Sequence, residues 1–153
     1  MQWIRRGSAF LCFLAICGCG AADPLASPPQ AWVTIANTRI PVELAITPAQ
    51  QSLGLGERDH LEWGHGMLFL HEEQKARSYW MKGMRFDIDI IWIRDGRISE
   101  IAHAVPHVPG ENGPTVKSSE VVDQVLEVPA GYSMIQGWRK GQRVRVEGLD
   151  SIR

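Results

Sequence analysis

The sequence predicts an α+β domain that is mainly antiparallel β, with a curled or barrel-like sheet and two short helices. Seven or eight short apolar runs recur at regular spacing, and Gly-rich or Pro-containing turns separate them. Helix signals accompany only two short segments. With 153 residues, 44% of them hydrophobic and 22% charged, the chain is long enough for one globular domain with a modest core.

The first elements of the domain are predicted to be two strands. Residues 32–36 and 39–46 alternate between apolar and polar side chains, as a half-buried strand does. A turn at Asn37 and Thr38 joins them. Pro41 cannot donate to a strand ladder, which favours an edge position for the second strand.

A short helix is expected next. Thr47 has the character of an N-cap, Pro48 suits the first helical position, and Gln50 completes a capping box. Gly54 and Gly56 are expected to end the helix within about two turns.

The middle of the chain carries the clearest strand signals. Residues 66–70 form an apolar run, and a charged segment at 71–77 is predicted to be a turn. Residues 78–93 follow as a strand pair or a bent strand. Ile88–Arg94 and Arg97–Val105 are predicted to form a hairpin, because Asp95 and Gly96 supply the positive φ angles of a tight primed turn.

The last third contains two more strands and the second helix. Residues 121–128 are predicted to be a strand that ends at the Pro-Ala-Gly sequence of residues 129–131. A helical turn is expected at 132–136 and a final strand at 142–147. Residues 106–120 have no periodic pattern, so this segment is interpreted as either a binding loop or a mobile one.

The first 19 residues have the features of an export signal. Arg5 and Arg6 precede an apolar run at residues 9–17 that is too short to span a bilayer. The run ends in Ile-Cys-Gly-Cys-Gly, which resembles a bacterial lipoprotein cleavage motif with Cys19 as the lipid acceptor. The alternative is a soluble periplasmic or secreted protein that is cleaved near Ala21 or Ala22.

These features predict the organisation of the whole chain. Residues 1–19 are the signal peptide, 20–31 a proline-containing flexible tether, 32–148 the single domain and 149–153 a tail. The expected location is the periplasmic face of a bacterial membrane, to which the lipid on Cys19 anchors the chain. Neither the inner nor the outer membrane is singled out.

Cysteine content and charge limit the function classes. All three cysteines, Cys12, Cys17 and Cys19, lie in the signal segment, so the domain has no disulfide and no thiolate chemistry. Without Arg5 and Arg6 the chain has 14 basic against 17 acidic residues, a net charge near −3. Nucleic acid is therefore not an expected partner.

Several short motifs, in this order, resemble a known family. They are residues 35–38, 54–55 with 58, 66–69, 79–82, 89–91, 95–98 and 125–131. Together they resemble the DUF192 (UPF0127) family of bacterial and archaeal domains. The resemblance implies a β-rich single domain, often exported or tethered to a membrane, and no established general activity.

The chain departs from that family pattern at three positions. Gly83 stands where the family commonly has asparagine, Asp87 where it has proline, and Gly56 where it has methionine. If this neighbourhood binds a ligand, its chemistry here can differ from that of the relatives.

Alternation along residues 87–93 predicts that Asp89 is a buried carboxylate. Asp89 shares a strand face with Ile91 and Ile93. An unpartnered carboxylate there would cost several kcal/mol, so a cation or several backbone donors are required. Lys82 and Arg58 are the candidate cations, and one of them is expected within salt-bridge reach of Asp89.

The functional hypothesis is a non-catalytic envelope domain that binds a small ligand, a glycan or a partner near Trp80. The candidate ligand-binding residues are Arg58, Trp80, Lys82, Asp89, His107 and Ser119. Two alternatives are a hydrolase-type enzyme acting on an envelope component and a purely structural or interaction module.

No catalytic residue, metal or cofactor is predicted. The sequence has no Gly-x-Ser-x-Gly elbow, phosphate loop or metalloprotease His-Glu motif. His103 and His107 have the four-residue spacing of helical metal ligands, but Pro106 between them disfavours a helix.

Overall fold

A computed structural model describes residues 31–149, which form nine strands and two short helices. In chain order these are β1 (Ala31–Ile35), β2 (Thr38–Ala45), α1 (Pro48–Leu53), β3 (Gly66–Lys75), β4 (Ser78–Trp80), β5 (Ile88–Arg94), β6 (Arg97–Val105), β7 (Thr115–Lys117), β8 (Val122–Pro129), α2 (Tyr132–Ile135) and β9 (Val144–Glu147). The predictions for the signal, the tether up to residue 30 and residues 150–153 lie outside the described residues.

Seven of the strands form one curled half-barrel sheet in the order β6-β5-β8-β3-β2-β1-β9. Its neighbouring strands are antiparallel except β2 and β3, which run parallel and are connected through α1. The predicted fold class, mainly antiparallel α+β with two short helices, is confirmed. The first strand begins at Ala31, one residue earlier than predicted, and Ala31 is already buried.

The predicted edge position of β2 is wrong. β2 lies between β1 and β3 in the sheet. Pro41 is accommodated because it precedes the part of β2, from Val42 onward, that pairs with β3. The turn before β2 is at Ala36 and Asn37, one residue earlier than predicted, and Ala36 has a φ of 52°.

The turn and cap signals in the sequence were accurate. Thr47 caps α1, and the reciprocal bonds with Gln50 form the predicted capping box. Asp95 and Gly96 have φ angles of 51° and 65°, and they join β5 to β6 in the predicted hairpin. In contrast, the charged residues 71–75 continue β3 as a strand, because β3 still pairs with β8 at Lys75 beyond an irregularity.

The segment 106–120 is fixed to the rest of the domain at its C-terminal half. Its β7 pairs with β4 in a second, two-stranded sheet. The Met81 N–H donates to the Pro114 carbonyl at 3.1 Å, and the Arg77 N–H donates to Ser118 Oγ at 2.9 Å. The interpretation of this segment as patternless therefore missed a short strand.

We expect Gly113→Ala to destabilise the domain by about 1–3 kcal/mol more than Gly110→Ala. Both glycines have positive φ angles, 61° and 79°, so backbone strain is similar in the two variants. A Cβ at residue 113 would lie 2.7 Å from the Cβ of Met81, whereas one at residue 110 meets nothing within 4 Å. Urea denaturation of both variants measures the difference, and equal midpoints would show that the contact with Met81 relaxes at no cost.

The two edges of the curled sheet approach each other beyond the hairpin turn. Arg97 at the start of β6 forms a β-bridge with Arg143, just before β9. Backbone bonds continue the contact, since Ile98 donates to Gln142 at 2.9 Å and Val144 donates to Gly96 at 2.8 Å. The edge strands β6 and β9 are thus joined at one end.

The sheet is covered on both faces by separate apolar clusters. Ile91 and Ile93 of β5 pack into one cluster with α2, while Ile90 and Trp92 pack into the other. This confirms the predicted alternation along β5. Two buried acidic residues lie on opposite faces of the sheet. Asp89 is on the face of Ile91 and Ile93, and Glu127 is on the face of Ile90 and Trp92.

Candidate functional site

A cavity of about 220 Å³ opens on the second face of the sheet, between α1, β3, β8 and the segment around β4. We call it the Glu127 cavity. Apolar and aromatic residues form one part of its lining: Leu53, Leu55, Phe69, Tyr79, Trp80 and Met84. The remaining lining residues are polar, apart from Gly54: Gln51, Ser52, His71, Arg77, Ser78, Lys82 and Glu127.

Glu127 is the unusual group of this cavity. It projects from β8 between Met67 of β3 and Ile90 of β5, and only 4% of the residue is exposed. No residue in the described chain hydrogen-bonds or ion-pairs with its carboxyl. Burial raises the pKa of Glu127 to about 8, so the carboxyl is mostly neutral at pH 7.

Two cations line the same cavity. Lys82 is exposed and has no ion-pair partner within residues 31–149. Arg77 donates from Nη2 to the Glu73 carbonyl at 2.6 Å, while its Nε–H is buried and lacks an acceptor among the described residues. The cavity therefore offers positive charge with unused donor capacity.

His71 and Tyr79 form a fixed, uncharged part of the wall. The His71 Nε2 and the Tyr79 hydroxyl lie 3.0 Å apart. Burial, and then the nearby Arg77, lower the pKa of His71 to about 4. Burial, and to a smaller extent the nearby Glu127, raise the pKa of Tyr79. The ring of Tyr79 meets that of Phe69 edge-on, with 4.9 Å between the ring centroids.

Of the predicted ligand-binding residues, Trp80 and Lys82 line this cavity. Trp80 is 52% exposed and forms an aromatic plate at the rim. Arg58 is committed elsewhere, because its guanidinium makes a two-pronged ion pair with Glu43, with N–O distances of 2.6 and 2.8 Å. That pair raises the pKa of Arg58.

The prediction that Lys82 or Arg58 forms a salt bridge with Asp89 is wrong. Asp89 is fully buried, and its carboxylate accepts four hydrogen bonds from neutral donors. They come from the backbone N–H groups of Ala104 at 2.8 Å, Gly131 at 3.0 Å and Ser133 at 3.0 Å, and from the Ser133 hydroxyl at 2.6 Å. Backbone N–H groups, the other partners predicted for Asp89, thus satisfy the carboxylate together with the Ser133 hydroxyl.

Asp89 therefore organises the end of the sheet and does not line the Glu127 cavity. It caps α2, whose N-cap residue Gly131 has no side chain and a φ of 82°. The Ser133 hydroxyl also lies 3.0 Å from Nδ1 of the exposed His103, which extends this network to the surface. The aspartate and the Pro-Ala-Gly motif of the family pattern are thus parts of one structural unit.

His107 and Ser119, the remaining predicted binding residues, are not among the residues that line the Glu127 cavity. His107 lines a second cavity of about 490 Å³ with Glu57, Arg85 and the loop at 108–111. Its Nδ1 lies 2.6 Å from Asp87, and that contact lowers the pKa of Asp87. Ser119 donates from its hydroxyl to Glu100 at 2.7 Å. The structure does not bring these residues together with Trp80 and Lys82.

Sequence reasoning missed Glu127, His71 and Arg77. Glu127 had a usable signal, since it is the one charged residue in the apolar run of residues 125–128, the same kind of signal that drew attention to Asp89. His71 and Arg77 gave no such signal, because they belong to a charged stretch that resembled a solvated turn.

Within residues 31–149, no group of three or more His, Asp or Glu side chains is arranged to hold a metal ion. None of the helices in this part of the chain has the length and apolar character needed to cross a membrane.

The fold makes the chain a small α+β protein in which a curled, mainly antiparallel half-barrel bears a partly enclosed pocket beside a short helix. The chain belongs to the DUF192 family, whose model, described as uncharacterized ACR, matches residues 31–146. The predicted family resemblance is therefore confirmed.

The solved structures that are similar to the chain include the following two. One is a proposed transcription regulator of Sinorhizobium meliloti 1021, with 33% identity and a TM-score of 0.71 over 81% of this chain and 98% of that one. The other is a protein of unknown function from Novosphingobium aromaticivorans DSM 12444, with 29% identity and a TM-score of 0.68 over 74% of this chain and 83% of that one. Comparison with curated proteins gives no match.

Proposed function

We propose that the domain binds a small organic anion in the Glu127 cavity. The observation that carries this proposal is that Lys82, a cation without an ion-pair partner in residues 31–149, and the guanidinium-bearing Arg77 line one cavity together with an apolar wall. Positive charge beside apolar side chains in a concave site favours a ligand with an anionic group and an apolar part. Phe69 and Leu55 would contact the apolar part of that ligand.

The volume of the cavity, about 220 Å³, suits a small metabolite. A cavity of about 150 Å³ already accepts benzene, so one ring or a short branched chain with a carboxylate would fit. A glycan could place only one terminal group inside.

Binding is favoured over hydrolysis by the composition of the site. Glycoside hydrolysis usually needs two carboxyl groups that flank the scissile bond, and Glu127 is the only acidic residue among those lining this cavity. Asp87, just before β5, and Asp89, within β5, are bonded to His107 and Ser133 instead. The purely structural alternative leaves Arg77 and Glu127 unexplained.

We expect Lys82→Ala to weaken binding of small carboxylates about tenfold, because it removes a charge-assisted contact at the rim. Calorimetric titration of wild type and variant with short aliphatic and aromatic carboxylates measures the loss. Lys117→Ala is the matched control, since Lys117 is an exposed lysine of β7 that lies outside the cavity. Equal affinities of wild type and Lys82→Ala for every carboxylate that binds would contradict the proposed role of Lys82.

We further propose that the domain works at a bacterial cell envelope, attached through a lipid on Cys19. The signal-like segment at residues 1–19 and its Cys-Gly end support this. Radiolabelled palmitate should enter the wild type and not Cys19→Ser. Equal labelling of both, or labelling of neither, would contradict the lipid anchor, and recovery of the cleaved chain without label would favour the soluble exported form.

A further inference from the structure

The Glu127 cavity is lined by charged or ionisable groups of two opposite kinds that do not pair with each other. Arg77 and Lys82 offer hydrogen-bond donors with positive charge. Glu127 offers a carboxyl group that is more than nine-tenths buried and has no partner in the described chain. Although the three residues line one small cavity, Glu127 forms no ion pair with either cation, and burial is the cause of its raised pKa. The cavity thus keeps an acid and two cations apart.

We infer that the ligand is a small zwitterion, whose carboxylate binds Lys82 and Arg77 and whose ammonium group binds Glu127. This inference rests on the proposed anion binding and names the ligand class: amino acids and closely related amino-carboxylic acids. An α-amino acid with a medium-sized side chain has a volume that suits a cavity of about 220 Å³.

Each simpler ligand would leave part of the site unsatisfied. A carboxylate without an amine would leave the carboxyl of Glu127 buried without a partner, which is unfavourable. An amine without a carboxylate would enter a cavity that already carries the positive charges of Arg77 and Lys82. A zwitterion satisfies both, and the aromatic ring of Tyr79 in the wall favours the ammonium group further.

The inference has a consequence for protons. In the empty cavity Glu127 is mostly protonated at pH 7, because its pKa is about 8. When an ammonium group pairs with it, the carboxyl O–H breaks and its proton passes to the solvent, while the ligand keeps its own protons. Binding of an amino acid at pH 7 should therefore release roughly one proton. Binding of a carboxylate that lacks the amine should release none from Glu127.

The test uses the full-length chain in detergent micelles and three matched sets of probes. Alanine, leucine and phenylalanine, in their L and D forms, are each compared with the deaminated acid and with the decarboxylated amine. Calorimetry in two buffers of different ionisation enthalpy gives both the affinity and the number of protons released. Glu127→Gln, which keeps the shape of the side chain without the acid, is titrated alongside wild type.

We expect at least one amino acid to bind wild type ten times or more tightly than its two counterparts, with proton release. In Glu127→Gln that preference and the proton release should vanish, while the affinity for the deaminated acid should remain. Deaminated acids that bind wild type as tightly as amino acids, without proton release, would overturn the zwitterion inference and leave anion binding intact. Absence of binding by every amino acid and carboxylate would overturn both. If the variant folds poorly, the preference of wild type for an amino acid over its deaminated and decarboxylated counterparts, taken together with the proton count, decides the question.

Discussion

Asp89→Asn is expected to lower the free energy of unfolding by about 2–4 kcal/mol. The carboxylate of Asp89 only accepts, and it receives four hydrogen bonds from Ala104, Gly131 and Ser133. The amide of asparagine would direct an NH2 group at two of these donors, so buried N–H groups of β6 or α2 would lose their acceptor. Equilibrium unfolding in urea at pH 7 measures the loss.

Asp87→Asn is the matched control for this prediction. Asp87 lies two residues away and also accepts hydrogen bonds, from the backbone and Nδ1 of His107, but its side chain is 44% exposed. Its replacement should cost less than about 1 kcal/mol, because water can take over the lost contacts. If both variants unfold at the same urea concentration, the interpretation of Asp89 as the organising group of this end of the sheet is wrong.

The second large effect concerns the pH dependence of stability. Glu127 has a pKa of about 8 in the folded chain, against 4.5 for an ordinary glutamate. Between these values the unfolded chain has released its proton and the folded chain keeps it, so rising pH favours unfolding. From pH 6.5 to 8.5 we expect the free energy of unfolding of wild type to fall by about 2 kcal/mol relative to that of Glu127→Gln, which has no acid to ionise at this position.

The pH window is chosen because of His71. The pKa of His71 is lowered from 6.5 to about 4, so between about pH 4 and 7.5 the unfolded chain binds more protons there and stability rises with pH. This opposes the effect of Glu127, fades above pH 6.5, and cancels when wild type is compared with Glu127→Gln, because both keep His71. Unfolding curves of wild type and Glu127→Gln at several pH values test the prediction, and parallel pH profiles would contradict it.

Local sequence signals predicted the fold well where a few adjacent residues decide the conformation. The capping box at Thr47 and the Asp95-Gly96 turn are such cases, since a hydrogen-bonding side chain or a positive φ angle acts over four residues or fewer. The alternation along β5 was equally reliable. The position of β2 inside the sheet was not, because the parallel pairing with β3 depends on a connection through α1 that periodicity does not reveal.

The candidate site was predictable only in part. Trp80 and Lys82 lie in the segment that attracted attention, and both line the cavity. The burial of Asp89 was predicted correctly. Its partners were not, because most of them are backbone N–H groups, which every residue type except proline has and which the sequence therefore does not reveal. Glu127 joins the site through cross-strand neighbours, Met67 and Ile90, that lie far away along the chain.

The contact between the two edges of the sheet bears on how the domain avoids aggregation. An open half-barrel leaves two edge strands whose free N–H and C=O groups could recruit a strand from another molecule. Here the bridge between Arg97 and Arg143, with the backbone bonds of Ile98 and Val144, occupies part of both edges within one molecule. The arginines add like charges where a second copy would approach. The closure therefore protects the domain against intermolecular strand addition, even though the barrel remains incomplete.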